Sequence, residues 1–176
     1  MRKVNDAAQD ERGTGPHPSD QPAEAFFRPV PHRVPDDPPP DRHQAILDAA
    51  KQVGSLLKRQ GHRFALAGSA AVYAHGASGS LQHDADFCLR RDDAGAVAAT
   101  LNEAGITVVE PPEDWLWKAK CLGQDIDLLF ELAHEPVTSE LLDRAVELPL
   151  DSVHMPVLAA TDLLRGLLAS FSEHPP

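Results

Sequence analysis

Cysteine is scarce: the chain has only 2, Cys88 and Cys121, each inside an apolar segment. That excludes a disulfide framework and points to a reduced, cytoplasmic protein. No apolar run approaches the roughly 20 residues of a membrane span, so no membrane association is expected. Polar sequence, rather than an apolar h-region, follows Met1-Arg2-Lys3-Val4-Asn5-Asp6, and no secretory signal is expected. Positive charge is short as well: 16 Lys and Arg stand against 27 Asp and Glu, a formal net charge of -11. Sequence-independent nucleic-acid binding draws most of its affinity from cations facing phosphates, so the chain is a poor candidate for it, although a local basic groove is compatible with the total. The histidines and cysteines show no zinc spacing. Ser69 lies in no Gly-x-Ser-x-Gly elbow, which argues against a serine hydrolase. No internal repeat is present.

The 176 residues, 42% of them hydrophobic, suffice for one ordinary domain with a single core. Most of the 16 prolines fall in residues 1–41, including Pro29, Pro31, Pro35 and Pro38-Pro39-Pro40. With few large apolar groups beyond Phe26-Phe27, this stretch reads as a disordered arm, or as an arm with a partner-docking motif at the two phenylalanines. The folded domain is expected over 42–176. Ala45, Ile46, Ala49, Ala50, Val53, Leu56 and Leu57 recur at helical spacing, and Gly61 ends that helix. Phe64-Ala65-Leu66-Ala67 is a short apolar strand, and Gly68-Ser69 turns it into a short helix to His75. His83 to Leu89 alternates as a strand, Asp92 to Ala104 is a helix, and Ile106 to Val109 is a strand. Trp115–Leu122 and Asp125–Phe130 form a hairpin, with Gly123-Gln124 as its two-residue loop. A helix is expected from about Ser139 to Val146, a strand near Val153, and a last helix from Thr161-Asp162. The order predicts a mixed α/β fold with an antiparallel hairpin.

In the strand from His83, Ala85, Phe87 and Leu89 point to the core, while Asp84, Asp86 and Cys88 point the other way. Two carboxylates side by side repel and raise each other's pKa. A divalent cation removes the conflict, and magnesium needs only one or two carboxylates when phosphates supply other ligands. Asp-x-Asp alone is a short motif that recurs by chance. Its position after a strand–Gly68-Ser69–helix unit adds weight, because backbone N–H groups at a helix start can hold an anion. Read alone, Gly68-Ser69 is a tight turn with Ser69 as an N-cap. With the hairpin loop at Gly123-Gln124, Lys120 falls opposite Asp127, and Lys118, Lys120, Asp125 and Asp127 share one face. That pairing is either a surface ion pair of little energetic weight or a third metal carboxylate beside a lysine suited to phosphate. His75 and His83 are candidate flanking groups, more simply structural. Trp115 is a candidate base-stacking residue, and Cys88 and Cys121 are most simply core.

Ala67-Gly68-Ser69, Asp84-Ala85-Asp86 and the apolar-flanked Asp127 together resemble the signature of the polymerase-β-type nucleotidyltransferase superfamily. The similarity is greatest to its small bacterial single-domain members, and it spans about His43 to His174. The resemblance implies a nucleotidyltransferase-like fold, a mixed sheet flanked by helices. It implies that Gly68 and Ser69 touch a nucleoside triphosphate such as ATP; Lys120, from its place opposite Asp127, is the expected lysine for phosphate. It implies that Asp84 and Asp86 bind two Mg2+ ions and that Asp127 completes the site and helps activate the attacking hydroxyl. The expected function is transfer of a nucleoside monophosphate group to a hydroxyl of a small molecule, a protein or an RNA end, with release of pyrophosphate. The alternative is a catalytically weak or inactive protein of this fold that acts through a partner, as in a toxin–antitoxin pair, or as a homo-oligomer. Departures from the family pattern are the absence of an arginine in Ser80-Leu81-Gln82-His83 and the placement of the nearest late basic residue at Arg165. The chain also stops at Pro175-Pro176, where relatives often continue into further helices.

Overall fold

Helix α1 (Arg42–Arg59) follows directly from the apolar spacing. All seven expected positions, Ala45 through Leu57, are buried. Its start is fixed by Asp41, whose Oδ1 accepts from the backbone N–H groups of His43 (3.0 Å) and Gln44 (3.5 Å). Its end is fixed beyond Gly61, where the His62 N–H donates back to Leu57 O at 3.0 Å, the long bond of a Schellman motif. The computed structural model describes residues 41–81 and 83–173 of the chain. The expected arm over 1–41 therefore lies outside the described residues, apart from the capping Asp41.

The elements that follow are β1 (Ala65–Leu66), α2 (Gly68–Ala74), β2 (Ala85–Cys88), a 3-10 turn Arg91–Asp93, α3 (Ala94–Glu103), β3 (Val108–Val109), β4 (Leu116–Cys121), β5 (Gln124–Leu129), β6 (Glu131–Leu132), β7 (Glu135–Pro136), α4 (Ser139–Asp143), β8 (Val146–Leu150), β9 (Val153–Val157) and α5 (Ala160–Glu173). Seven strands make one mixed sheet in the order β3-β4-β5-β2-β1-β9-β8. β2 runs parallel to β5 and β1 parallel to β9, and the other neighbouring pairs are antiparallel. The mixed sheet, the antiparallel hairpin and the flanking helices are as expected. α1 packs so closely on the sheet that a Cβ at Gly54 would stand 2.6 Å from Met155 Sδ and 3.7 Å from Phe87. Phe87 therefore faces α1, and Asp86, one residue earlier in the strand, faces the opposite side. α2 and α5 touch each other, and α2 packs on β2 and β8. No described helix is long and apolar enough to cross a membrane.

Two local expectations are corrected. The β4–β5 loop is Leu122-Gly123, not Gly123-Gln124, because Gln124 pairs with Cys121 inside the ladder. Leu122 (φ 50°) and Gly123 (φ 75°) both sit in the left-handed region, the signature of a type I′ turn. Each partner moves by two residues, so Lys118 rather than Lys120 lies opposite Asp127, and Lys120 lies opposite Asp125. A shift of two preserves the faces, and the four charged residues still share one. The second correction is at Val146, which opens strand β8; the preceding helix ends at Asp143. Strand β8 accommodates Pro149 because it is an edge strand, where a missing N–H costs no ladder bond.

A leucine held at φ 50° is strained, whereas asparagine enters that region readily. Leu122→Asn is therefore expected to stabilise the protein by roughly 0.5–1 kcal/mol. Urea unfolding checks this; a midpoint unchanged or lowered would contradict the turn assignment.

Candidate functional site

The parallel register of β2 and β5 places Asp86 directly beside Asp127. Asp84 lies two residues before Asp86, just outside the strand, and points to the same side. One carboxylate oxygen from each of Asp84, Asp86 and Asp127 lies within 4.8 Å of the others. Asp127 is only 7% exposed. The first residue of α2 closes over this cluster: at Gly68 a Cβ would stand 1.8 Å from Asp86 Oδ2, and the backbone there has φ +57°. Both facts demand glycine. The Ala67 N–H donates to Asp86 O at 2.8 Å, tying the turn to the strand. Ser69 is exposed at the start of α2. The three aspartates and Gly68 named from sequence are thus brought together, and Ser69 follows Gly68 directly.

Burial is the main cause that pushes the Asp86 carboxyl up to about 7, with Asp84 and then Asp127 adding repulsion and Lys118 opposing it. Asp127 is also raised, by burial first, against the pull of Lys118. The Lys118 ammonium donates to both Asp127 oxygens, at 3.0 and 3.1 Å. That bond raises the Lys118 pKa in turn. Lys120, expected opposite Asp127, instead pairs with Asp125 at 2.8 Å. The signal that could have found Lys118 is the Leu122-Gly123 turn. Cys88 is fully buried, and burial holds its thiol far above the ordinary range. Burial likewise pushes Cys121 up to about 11. Neither thiol offers a thiolate at neutral pH.

His75 does not enter the cluster: its Nε2 donates to the backbone oxygen of Leu158 at 2.9 Å, joining α2 to the end of β9. His83 is exposed. Trp117 packs edge-on against Phe130 at 5.5 Å, with the Arg91 guanidinium over both rings. Trp115 is different. It is 42% exposed and lines a cavity of about 540 Å³ that also reaches Gly68 and Asp86. The far side of this cavity comes from Glu131, from the β6–β7 turn at His134, and from Leu163 and Leu167 of α5. None of these four was legible as a site residue, because the cavity joins segments distant in sequence. Arg165 lines a separate hollow with Arg144 and Asp162.

No protein-family profile and no curated protein matches the chain. Solved structures do. The solution structure of the antibiotic-resistance factor ANT(2″)-Ia has a TM-score of 0.60 at 13% identity, over 76% of this chain and 76% of that one. A Thermotoga maritima protein assigned as a nucleotidyltransferase gives 0.59 at 14% identity, over 72% and 85%. A crystal structure of ANT(2″)-Ia with adenylyl-2″-tobramycin gives 0.60 at 14% identity, over 74% and 78%. At such identities the likeness is one of fold: the chain has a nucleotidyltransferase-like fold.

The Asp86 proton has a measurable consequence. Between the ordinary aspartate range and about pH 7, the native protein keeps a proton that the unfolded chain has released. The native state then binds more protons, so this group's contribution to stability falls as pH rises through that window. In EDTA, the melting temperature of Asp86→Asn minus that of the wild type is expected to grow between about pH 5 and about pH 8. A difference that stays constant or shrinks would contradict the raised carboxyl.

Proposed function

We propose that this chain is a metal-dependent nucleotidyltransferase, moving a nucleoside monophosphate group from a nucleoside triphosphate to a hydroxyl acceptor. The observation that carries this reading is the cluster of Asp84, Asp86 and Asp127 beneath Gly68, on a nucleotidyltransferase-like fold. The donor set fits a hard divalent cation such as Mg2+: it is all oxygen, and burial leaves the Asp86 charge poorly compensated. Asp84, Asp86 and Asp127 would hold the ion or ions, which when bound would neutralise charge on the phosphoryl oxygens.

The chain's own residues then have distinct tasks. Gly68 lets the α2 backbone approach the carboxylates without a side chain between them, and the Ser69 hydroxyl and adjacent N–H groups would face the triphosphate. Asp127 would take the proton of the acceptor hydroxyl as its oxygen bonds to the α-phosphorus. The α–β phosphoanhydride bond breaks, and pyrophosphate leaves. A basic residue on the Asp127 face would meet the leaving phosphates. Lys118 lies opposite Asp127 and Lys120 opposite Asp125, which supports Lys118 rather than Lys120 in that role. The cavity of about 540 Å³ beside Asp86 has the size of a small-molecule site, which favours a small acceptor over a protein or RNA end.

A second reading, a weakly active or inactive partner protein of the same fold, draws on one observation. Leu164, Leu167 and Leu168 of α5 are 57%, 45% and 61% exposed on adjoining turns, an apolar stripe of the kind that partners cover. Titration calorimetry separates the readings. With Mg2+ present, at least one of the four nucleoside triphosphates is expected to bind the wild-type chain, and EDTA or Asp86→Ala is expected to abolish the heat while the fold survives. No binding in either condition would favour the partner protein.

A further inference from the structure

Lys118 occupies an unusual position. Its ammonium uses both oxygens of Asp127, the most buried member of the carboxylate cluster. A divalent cation in the cluster would need at least one of those oxygens, and it would then stand close to the Lys118 ammonium and repel it. Yet Lys118 is not locked in place, because 53% of its side chain is exposed while that of Asp127 is 10% exposed. The ammonium reaches the site from the solvent side on a flexible stem and can withdraw without burying a charge. Lys120 supplies an internal comparison. It has the same chemistry on the same face, but it pairs with Asp125, which is itself 66% exposed and outside the cluster.

We propose that Lys118 is a built-in counter-cation: it holds Asp127 in the metal-free protein, yields it when a divalent ion enters, and once released serves the triphosphate. The inference rests on the metal-site reading above and deepens it. In the resting protein Lys118 offsets the repulsion between Asp86 and Asp127, so the cluster persists without metal. Metal entry then does two things together: it fills the cluster and frees one positive charge at the place where phosphates arrive. Nucleotide binding is thereby coupled to metal through a single side chain.

The test uses the full-length chain at a pH near 8, with Mn2+ as the probe and free Mn2+ read by electron paramagnetic resonance. Wild type, Lys118→Met, Lys118→Gln and Lys120→Met are compared, first without nucleotide. Both Lys118 variants are expected to bind Mn2+ about three- to tenfold more tightly than wild type, and Lys120→Met to change it by less than about twofold. With Mn2+ saturating, the Lys118 variants are expected to bind a non-hydrolysable triphosphate analogue more weakly than wild type. A purely structural lysine would not move the two affinities in opposite directions. If wild type binds Mn2+ and the Lys118 variants bind it equally or more weakly, the counter-cation role is overturned and the metal site stands. If no variant binds Mn2+, with or without the analogue, both are overturned. Binding by the Lys118 variants alone would support the role in its strongest form.

Discussion

Parallel pairing of β2 with β5 sets Asp86 against Asp127 across one ladder step, and like charges so placed repel. The surrounding structure is arranged around that conflict. Both strands are central in the seven-stranded sheet, and their other faces carry Phe87, Ile126 and Leu128, all fully buried. The register cannot slip to separate the carboxylates without turning that core outward. Relief has to come from outside the two strands. Lys118, on the next strand, supplies part of it to Asp127. Asp86 receives less: its carboxyl is pushed up to about 7, chiefly by burial, so near neutral pH it is poised between its two states. A rigid sheet holds the site in this condition, and that is what supports the proposed cation site.

Gly68 approaches the cluster from the other side. Its backbone lies where any side chain would collide with Asp86, so the helix start and the carboxylate cluster form a single surface. On that surface hard anionic donors stand next to backbone N–H groups, the combination that a metal–polyphosphate needs. The solved structures that this chain resembles support the fold. The chemistry proposed for it comes from the side chains that the fold brings together.

The strongest periodicities were legible in sequence. The α1 stripe and the alternation from Asp84 to Leu89 each follow from one element's own geometry, and they placed the aspartates on the correct face. What escaped was set by pairing between elements or by strain. Leu122 accepts a left-handed backbone that its side chain disfavours, which displaced the expected turn by one residue and put Lys120 where Lys118 belongs. β8 was missed because the expected helix ran on to Val146, and only the finished sheet shows Pro149 to lie in an edge strand. β6 and β7 have two residues each, too few for a period to register, yet their turn supplies His134 to the cavity. The cavity itself joins Gly68, Asp86, Trp115 and α5, and no local pattern could have announced it.

The proposed function requires that Asp84, Asp86 and Asp127 form one divalent-cation site under Gly68. Crystals grown with Mn2+ and a non-hydrolysable nucleoside triphosphate, measured at the manganese absorption edge, decide it. An anomalous peak is expected within coordination distance of oxygens from all three aspartates, with the triphosphate running past Gly68 and Ser69. A peak located elsewhere, or bound nucleotide with no peak at the three carboxylates, would contradict it.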